Sequence, residues 1–147
     1  MSTILFIDDE PHNISAVLDI LRELNEHKLF VSTTVKDALI VIEQEQIDLV
    51  ITDIFIPMGS NIRELLGPRS RKYEDNLRHL GGLVVLDELE KRVPIPTILA
   101  HTACTDYALL DVLGAHISVR VPKPAPVDVL LKAILDALKP DDDRWTL

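Results

Sequence analysis

The architecture of this chain follows from one short sequence, Asp48-Leu49-Val50-Ile51-Thr52-Asp53-Ile54-Phe55-Ile56-Pro57. Its apolar run from Leu49 to Ile51 is typical of a strand that is buried in a sheet. Asp53 follows at the carboxyl end of that strand, and Pro57 is incompatible with a continuing central strand. Open α/β sheets bind their ligands just outside the carboxyl ends of the strands. We therefore expect Asp53 to lie in a binding crevice and to carry the chemistry of the chain.

Other apolar runs alternate with segments of helical periodicity along the chain. Further strands are predicted at residues 4–7, 29–32, 97–100 and 117–121. Helices are predicted over residues 11–24, 35–44, 83–93, 106–113 and 127–138. Strands that alternate with helices predict a parallel sheet covered on both faces. The expected fold class is therefore α/β, a three-layer doubly wound sheet of five strands in the flavodoxin-like order 2-1-3-4-5.

The length of 147 residues suits a single domain with one sizeable core. We expect residues 1–140 to form that domain and residues 141–147 to form a short polar tail. The segment 59–80 breaks the regular pattern and is interpreted as an insertion, slightly basic within a chain whose net charge is −9. It is either a tolerated surface excursion or a docking element beside Asp53.

Charge and composition exclude several classes of function. The net charge of −9 argues against direct binding to nucleic acid, because few phosphate contacts are available. No apolar stretch approaches the length of a membrane span, and no signal peptide is recognisable at the start. The lone Cys104 excludes an intramolecular disulfide. A cytoplasmic protein without a direct membrane partner is the simplest expectation.

Polar side chains of complementary kinds follow the ends of four predicted strands: Asp8 and Asp9, then Asp53, Thr102 and Lys123. Since parallel strands end at the same edge of a sheet, we expect these side chains to converge. Three carboxylates repel one another unless a cation lies among them, and their oxygens suit Mg²⁺. Asp53 is then the nucleophile toward phosphorus, with Lys123 offsetting charge on the phosphoryl oxygens and the Thr102 hydroxyl hydrogen-bonding one of them.

Each of these residues also has a simpler structural interpretation. Acidic side chains at residues 8–10 stabilise the start of a helix through its dipole, and Asp53 suits a turn. Thr102 suits a helix cap, and Lys123 suits an exposed surface. A lone histidine such as His101 is more often a packing or surface residue than a functional one. The occurrence of the carboxylates together with Lys123 favours the phosphoryl chemistry.

Taken together, the motifs resemble those of the receiver domains of two-component response regulators. The matching pieces stand in the family's order and are Ile7-Asp8-Asp9-Glu10-Pro11, Asp48 to Asp53 with Pro57, Thr102-Ala103, Gly114-Ala115 and Pro122-Lys123-Pro124. The resemblance covers nearly the whole chain except residues 58–80. It implies that a histidine kinase or phosphotransfer protein phosphorylates Asp53, with Lys123 contacting the phosphoryl group and Thr102 acting as the switch hydroxyl.

The resemblance also implies a metal site and one unusual peptide bond. The implied magnesium ligands are Asp8, Asp9, Asp53 and the backbone carbonyl of Phe55. The peptide bond between Lys123 and Pro124 is expected to be cis, a form that bonds preceding proline adopt at low cost.

Several features depart from the family's pattern. The segment 59–80 stands where the family has a tight turn, and Arg120 stands where it has a switch aromatic. A longer connection than usual precedes Lys123, which predicts a bulged or shifted end of the fifth strand. Family members tune acyl-phosphate hydrolysis with the side chains that here are Phe55 and Cys104. A bulky Phe55 beside a non-basic Cys104 predicts a long-lived phosphoryl group.

We therefore expect a stand-alone, Mg²⁺-dependent receiver that signals through protein contacts and is not an enzyme with turnover. The alternative is a pseudo-receiver, a constitutive interaction module without phosphorylation, which Arg120 and the insertion favour. A phosphatase resembling the haloacid dehalogenases is disfavoured because Phe55 stands where those enzymes carry a second Asp. A dinucleotide-binding domain fails because no Gly-x-Gly-x-x-Gly follows the first strand.

Overall fold

The computed structural model describes residues 2–56, 81–103 and 117–139 of the protein. The strands in these ranges are β1 (Ser2–Ile7), β2 (His27–Ser32), β3 (Leu49–Thr52), β4 (Thr97–Thr102) and β5 (Ile117–Pro122). Within the described residues they form one five-stranded parallel sheet in the order β2-β1-β3-β4-β5. The predicted fold class and strand order are confirmed.

Helices cover both faces of this sheet. A 3₁₀ turn (Pro11–Ile14) leads into α1 (Ser15–Leu24), which shares a core with α4 (Val127–Leu138) on one face. The other face is covered by α2 (Val35–Gln44) and α3 (Gly81–Leu89). Among the helices of the described ranges, none has the length and apolar character that crossing a membrane requires.

The side chains of the central strands are apolar on both faces of the sheet, so both faces are covered by helices. Ile4 and Phe6 of β1 belong to the core beneath α1 and α4, whereas Leu5 and Ile7 belong to the core beneath α2 and α3. Successive side chains of a strand point to opposite faces, so a strand buried on both faces is apolar at every position. The continuous apolar runs of β1 and β3 are therefore the sequence signature of a parallel sheet between two helical layers.

The limits of α2 agree with the predicted limits, and β3 begins at Leu49, where the apolar run begins. Thr34 fixes the start of α2, because its side chain accepts a hydrogen bond of 3.2 Å from the N–H of Asp37. The helix predicted at 106–113, the insertion at 59–80 and the tail at 141–147 lie outside the described residues.

The pairing of β4 with β5 contains the predicted irregularity, but at the beginning of β5 rather than at its end. Ile98 pairs with Ile117, whereas Leu99 pairs with Val119, so Ser118 is the extra residue of a bulge. From Leu99 onward the pairing is regular. The bulge thus accommodates one additional residue before β5 reaches the edge of the sheet where the polar residues lie.

α3 is buried around almost its whole circumference, which the sequence interpretation did not foresee. A one-sided apolar face extending to Val93 was expected, but α3 ends at Leu89 and Val93 is 97% exposed. Pro94 keeps Val93 out of the helix, because proline disfavours a helical backbone at the residue before it. Val85, which lies off the predicted face, is completely buried. A helix that is apolar on all sides is typically a buried one.

The first two residues of α3 fix the loop that follows β3. The N–H of Gly81 donates to the Ile56 carbonyl and that of Gly82 to the Ile54 carbonyl, both at 3.0 Å. A Cβ atom on Gly82 would lie 2.6 Å from the Cα of Ile54 and closer still to the carbonyl oxygen of Asp53. This approach requires glycine at residue 82. Ile56 and Gly81 therefore lie side by side in the core, although they are distant in sequence.

We expect Gly82→Ala to lower the free energy of unfolding by about 1–3 kcal/mol, because the added methyl group must displace the backbone of residues 53 and 54. Urea unfolding followed by circular dichroism measures the change. Glu43→Ala on the exposed side of α2 is the control, with an expected change below about 0.5 kcal/mol. Equal stability of Gly82→Ala and wild type would contradict the tight contact.

Candidate functional site

The residues that follow β1, β3, β4 and β5 meet at the carboxyl edge of the sheet. Ile7 pairs with Thr52, so the ends of β1 and β3 lie side by side. The N–H of Asp53 donates to the Ile7 carbonyl at 3.2 Å, and the N–H of Lys123 donates to the Thr102 carbonyl at 3.1 Å. Strand-like hydrogen bonding thus continues one residue beyond β3 and β5. It fixes the backbone of Asp53, the predicted nucleophile, and of Lys123, the predicted cation.

The ammonium group of Lys123 joins two buried carboxylates. Its Nζ lies 2.7 Å from Oδ2 of Asp8 and 2.8 Å from Oδ2 of Asp53. Asp8 is 4% exposed and Asp53 is 6% exposed. Burial alone would lower the pKa of Lys123, but hydrogen bonds and negative charge from Asp53 and Asp8 outweigh burial and raise that pKa. The ammonium therefore remains charged throughout the neutral pH range.

The second oxygen of each buried carboxylate accepts a hydrogen bond from the backbone. The N–H of Glu10 donates to Oδ1 of Asp8 at 2.9 Å, and the N–H of Phe55 donates to Oδ1 of Asp53 at 3.2 Å. Side chains of Asp commonly bind the backbone two residues ahead in turns. Both carboxylates are consequently oriented by one backbone donor and by the shared ammonium of Lys123.

Asp9 completes a group of three carboxylates. One oxygen from each of Asp8, Asp9 and Asp53 lies within 4.8 Å of the other two. Asp9 is exposed as a residue, yet partial burial of its carboxyl group raises its pKa, and the negative charge of Asp8 raises it further. One lysine cannot balance three carboxylates, so negative charge is in excess. A hard donor set with excess negative charge fits Mg²⁺, and the implied carbonyl ligand on Phe55 belongs to the same loop as Asp53.

Two other predicted positions frame the site. Thr102 is buried at the end of β4, and its carbonyl is held by Lys123 as described above. Arg120 lies on β5 opposite Ala100 and is exposed, so the position of the family's switch aromatic carries a positive charge at the surface. Cys104, the second residue expected to tune hydrolysis, lies outside the described residues.

His101 is better integrated into the site than sequence reasoning indicated. It is buried as a packing residue would be, but its Nδ1 also donates to the Val121 carbonyl at 2.9 Å. Burial lowers the pKa of His101, which keeps the ring neutral at neutral pH. The sequence contained one signal, a polar residue that directly follows the apolar run of β4 and precedes Thr102.

We expect Asp9→Asn to stabilise the metal-free protein at neutral pH, by less than about 1 kcal/mol because exposed charges are screened. A raised carboxyl pKa means that the folded state favours the protonated form. The stability that the protonated Asp9 carboxyl gives the folded state is complete below its ordinary pKa of 3.8. It is lost as pH rises through the folded-state pKa. The advantage of the variant should therefore decline as pH falls and vanish below pH 3.8. Thermal unfolding in the presence of a chelator measures it.

In the presence of Mg²⁺ we expect the stability difference to change sign, so that Asp9→Asn is less stable than wild type. The variant has one carboxylate fewer to bind the ion. Asp19→Asn on the exposed side of α1 is the matched control and should gain as much stability from Mg²⁺ as wild type. A chelated Asp9→Asn protein less stable than wild type, or one stabilised by Mg²⁺ to the same extent, would contradict this account of the site.

Solved structures of receiver domains resemble this chain over nearly its whole length. A CheY-like response regulator receiver domain protein from Methanospirillum hungatei JF-1 superposes with a TM-score of 0.69 at 20% identity, covering 92% of each chain. A response regulator receiver domain protein from Clostridium thermocellum gives 0.64 at 22% identity and covers 100% of each chain. The HemR receiver domain from Leptospira biflexa gives 0.67 at 17% identity, covering 95% of this chain and 96% of that one.

These likenesses concern the fold. No protein-family model and no curated protein matches the sequence. At identities of 17–22%, the superpositions establish shared architecture and leave the roles of individual residues to the chemistry of the site. The peptide bond between Lys123 and Pro124 is cis, as the resemblance implies. The resemblance read from the sequence motifs is thus confirmed at the level of architecture, and the chain has the fold of the response regulator receiver domains.

Proposed function

We propose that this protein is a phospho-acceptor signalling domain in which Asp53 receives a phosphoryl group from a histidine kinase or a phosphotransfer protein. The observation that carries the proposal is the ammonium of Lys123 within 2.8 Å of both buried carboxylates at the carboxyl edge of a receiver fold. One crevice thereby contains a nucleophile, a fixed positive charge and oxygen donors for a cation. This combination is what transfer of a phosphoryl group to a carboxylate needs.

In the proposed reaction, an oxygen of Asp53 attacks the phosphorus atom of a phosphohistidine. A P–O bond forms as the P–N bond breaks, and the imidazole leaving group takes up a proton. The N–H of Phe55 restrains the orientation of the carboxylate. The Lys123 ammonium offsets the negative charge on the transferring phosphoryl oxygens. The protein is itself modified, so the domain acts as a signalling component rather than as an enzyme with turnover.

The residues that would hold Mg²⁺ are Asp8, Asp9, Asp53 and the backbone carbonyl of Phe55. Bound there, the ion supplies positive charge that phosphoryl oxygens require during transfer. Burial raises the pKa of Asp9 most and the negative charge of Asp8 raises it further, and this second effect supports the assignment because it reflects charge that Lys123 leaves unbalanced. Lys123 and a divalent cation together would neutralise the three carboxylates.

The proposed output passes from the site to protein partners. The Thr102 hydroxyl would hydrogen-bond a phosphoryl oxygen, and the link between the Thr102 carbonyl and Lys123 would carry a displacement from β4 to β5. Within a receiver domain of residues 1–140, the insertion at 59–80 is proposed as an added docking element, with residues 141–147 as a tail. The proposed setting is the cytoplasm, with neither nucleic acid nor membrane as a direct partner.

The decisive test is phosphorylation by a small phosphodonor such as acetyl phosphate, measured by intact mass with Mg²⁺ and with a chelator. We expect a phosphoryl adduct on wild type only when Mg²⁺ is present, and none on Asp53→Asn, which lacks the nucleophilic oxygen. Asp128→Asn, an exposed carboxylate of α4, is the matched control and should be modified like wild type. Peptide mapping should place the adduct on Asp53.

A folded wild-type protein without an adduct would overturn this proposal. The pseudo-receiver, a constitutive interaction module, would then be the better account, and the network of Lys123 with Asp8 and Asp53 would serve as a permanent structural tie. An adduct that persists in Asp53→Asn would instead assign the chemistry to another residue.

A second prediction concerns the lifetime of the acyl phosphate. Phe55 follows Asp53 by two residues and is 38% exposed, so its ring is available to restrict water near the phosphoryl group. We expect Phe55→Ala to lose its phosphoryl group several-fold faster than wild type after the donor is removed, as measured by intact mass over time. Ile40→Ala, another partly exposed apolar residue on α2, should leave the lifetime unchanged. An unchanged lifetime in Phe55→Ala would show that the ring does not shield the acyl phosphate.

A further inference from the structure

His101 is a buried polar residue that the proposed phosphoryl transfer does not use. It is 5% exposed, and its Nδ1 lies 2.9 Å from the backbone oxygen of Val121 on the neighbouring strand. A carbonyl oxygen only accepts hydrogen bonds, so Nδ1 carries the proton and donates. Burial, aided by the charge of Lys123, keeps the ring neutral against the opposite effects of the Val121 hydrogen bond and of the Asp8 and Asp53 charges.

The end of β5 is paired regularly with β4, and the hydrogen bond from the His101 side chain adds to that pairing. Pro122 has no N–H, but the ladder loses no bond there, because the N–H of the next residue, Lys123, faces β4 and an N–H at residue 122 would face away from β4. β5 also forms an edge of the sheet in the described part of the chain, so β4 is its one strand neighbour there. The N–H of Lys123 bonds to Thr102 just beyond the proline. The imidazole of His101 adds a cross-strand hydrogen bond immediately before it.

We propose that His101 is a positioning residue for Lys123. Its hydrogen bond to the Val121 carbonyl reinforces the pairing of β4 with β5 two residues before Lys123, and so helps to fix the backbone from which the lysine side chain reaches Asp8 and Asp53. The ammonium must satisfy distances of 2.7 Å and 2.8 Å to carboxylates on two different loops, so a displaced strand end would lengthen at least one of them. The anchoring is a property of the metal-free fold. Its effect on phosphorylation rests on the proposed function.

Two variants distinguish the effect of the His101 hydrogen bond from the effect of the volume of its ring. His101→Leu keeps an apolar filler but removes the donor, whereas His101→Asn keeps an amide N–H near the position of Nδ1. Amide hydrogen exchange measured by NMR reports on the N–H of Lys123 directly. We expect exchange at Lys123, relative to a core amide such as Val50, to be about five- to tenfold faster in His101→Leu and largely restored in His101→Asn.

Ile98→Val is the matched control, because it removes volume from the buried opposite end of β4. It should lower global stability without changing the exchange of the Lys123 amide relative to Val50. Phosphorylation by acetyl phosphate provides the second readout. His101→Leu should slow it in the presence of Lys123 and have no further effect in a Lys123→Ala background.

Unchanged relative exchange at Lys123 in His101→Leu would overturn the proposal. Faster exchange spread evenly over the whole sheet would also overturn it, because that result assigns His101 a general packing role. Local acceleration at Lys123 in a protein that acetyl phosphate does not modify would support the anchoring and reject the proposed function. Additive effects of His101→Leu and Lys123→Ala on the phosphorylation rate would show that the histidine does not act through the lysine.

Discussion

The shared ammonium of Lys123 is the interaction on which the rest of the site depends. Two carboxylates that are less than one-tenth exposed, Asp8 and Asp53, both hydrogen-bond this ammonium, which lies between them and offsets their mutual repulsion. Removing one partner from a buried ion pair costs about 3–5 kcal/mol, because the remaining charge is left without compensation. With a side chain 15% exposed, Lys123 lies toward the lower end of that range. The fold must therefore deliver three groups from three separate strands to one place.

Backbone hydrogen bonds achieve this delivery. The N–H groups of Asp8, Asp53 and Lys123 donate to carbonyls of neighbouring strands at 3.0, 3.2 and 3.1 Å. Behind Asp53, the close contact of Gly82 with the loop leaves the backbone little freedom. The functional side chains thus extend from a backbone that hydrogen bonds and close packing hold in place. Such preorganisation is what makes electrostatic stabilisation effective in a site of this kind.

Much of this arrangement was predictable from the sequence, for physical reasons. β1 and β3 are apolar at successive positions because both faces of a parallel sheet are covered, and strand ends of like direction share one edge. Those two facts place Asp8, Asp53, Thr102 and Lys123 together without knowledge of any distance. They do not reveal that one ammonium serves two carboxylates, because that depends on side-chain geometry. The roles of these residues in phosphoryl transfer stay predictions.

The register in which β4 and β5 pair could not be predicted from the sequence. The hydrogen bond of His101 joins residues 20 positions apart, and it exists because β4 and β5 pair in one particular register after the bulge at Ser118. A shift of one residue would place a different carbonyl opposite the imidazole. The complete burial of α3 was missed for another reason. Val85 gave an apolar signal off the expected face, but periodicity alone does not distinguish a one-sided helix from one that is covered all round.

Ile56 and Gly81 meet through a single backbone hydrogen bond, although residues 57–80 separate them in sequence. Closing a flexible loop becomes only slowly more costly with length, by about 0.6 kcal/mol for each doubling. The number of residues between Ile56 and Gly81 therefore has little effect on the free energy of folding of the sheet. In evolutionary terms, a lineage could gain or lose sequence beside the acceptor loop without rebuilding the domain. The same junction offers a protein engineer a place to graft a peptide a few residues away from Asp53.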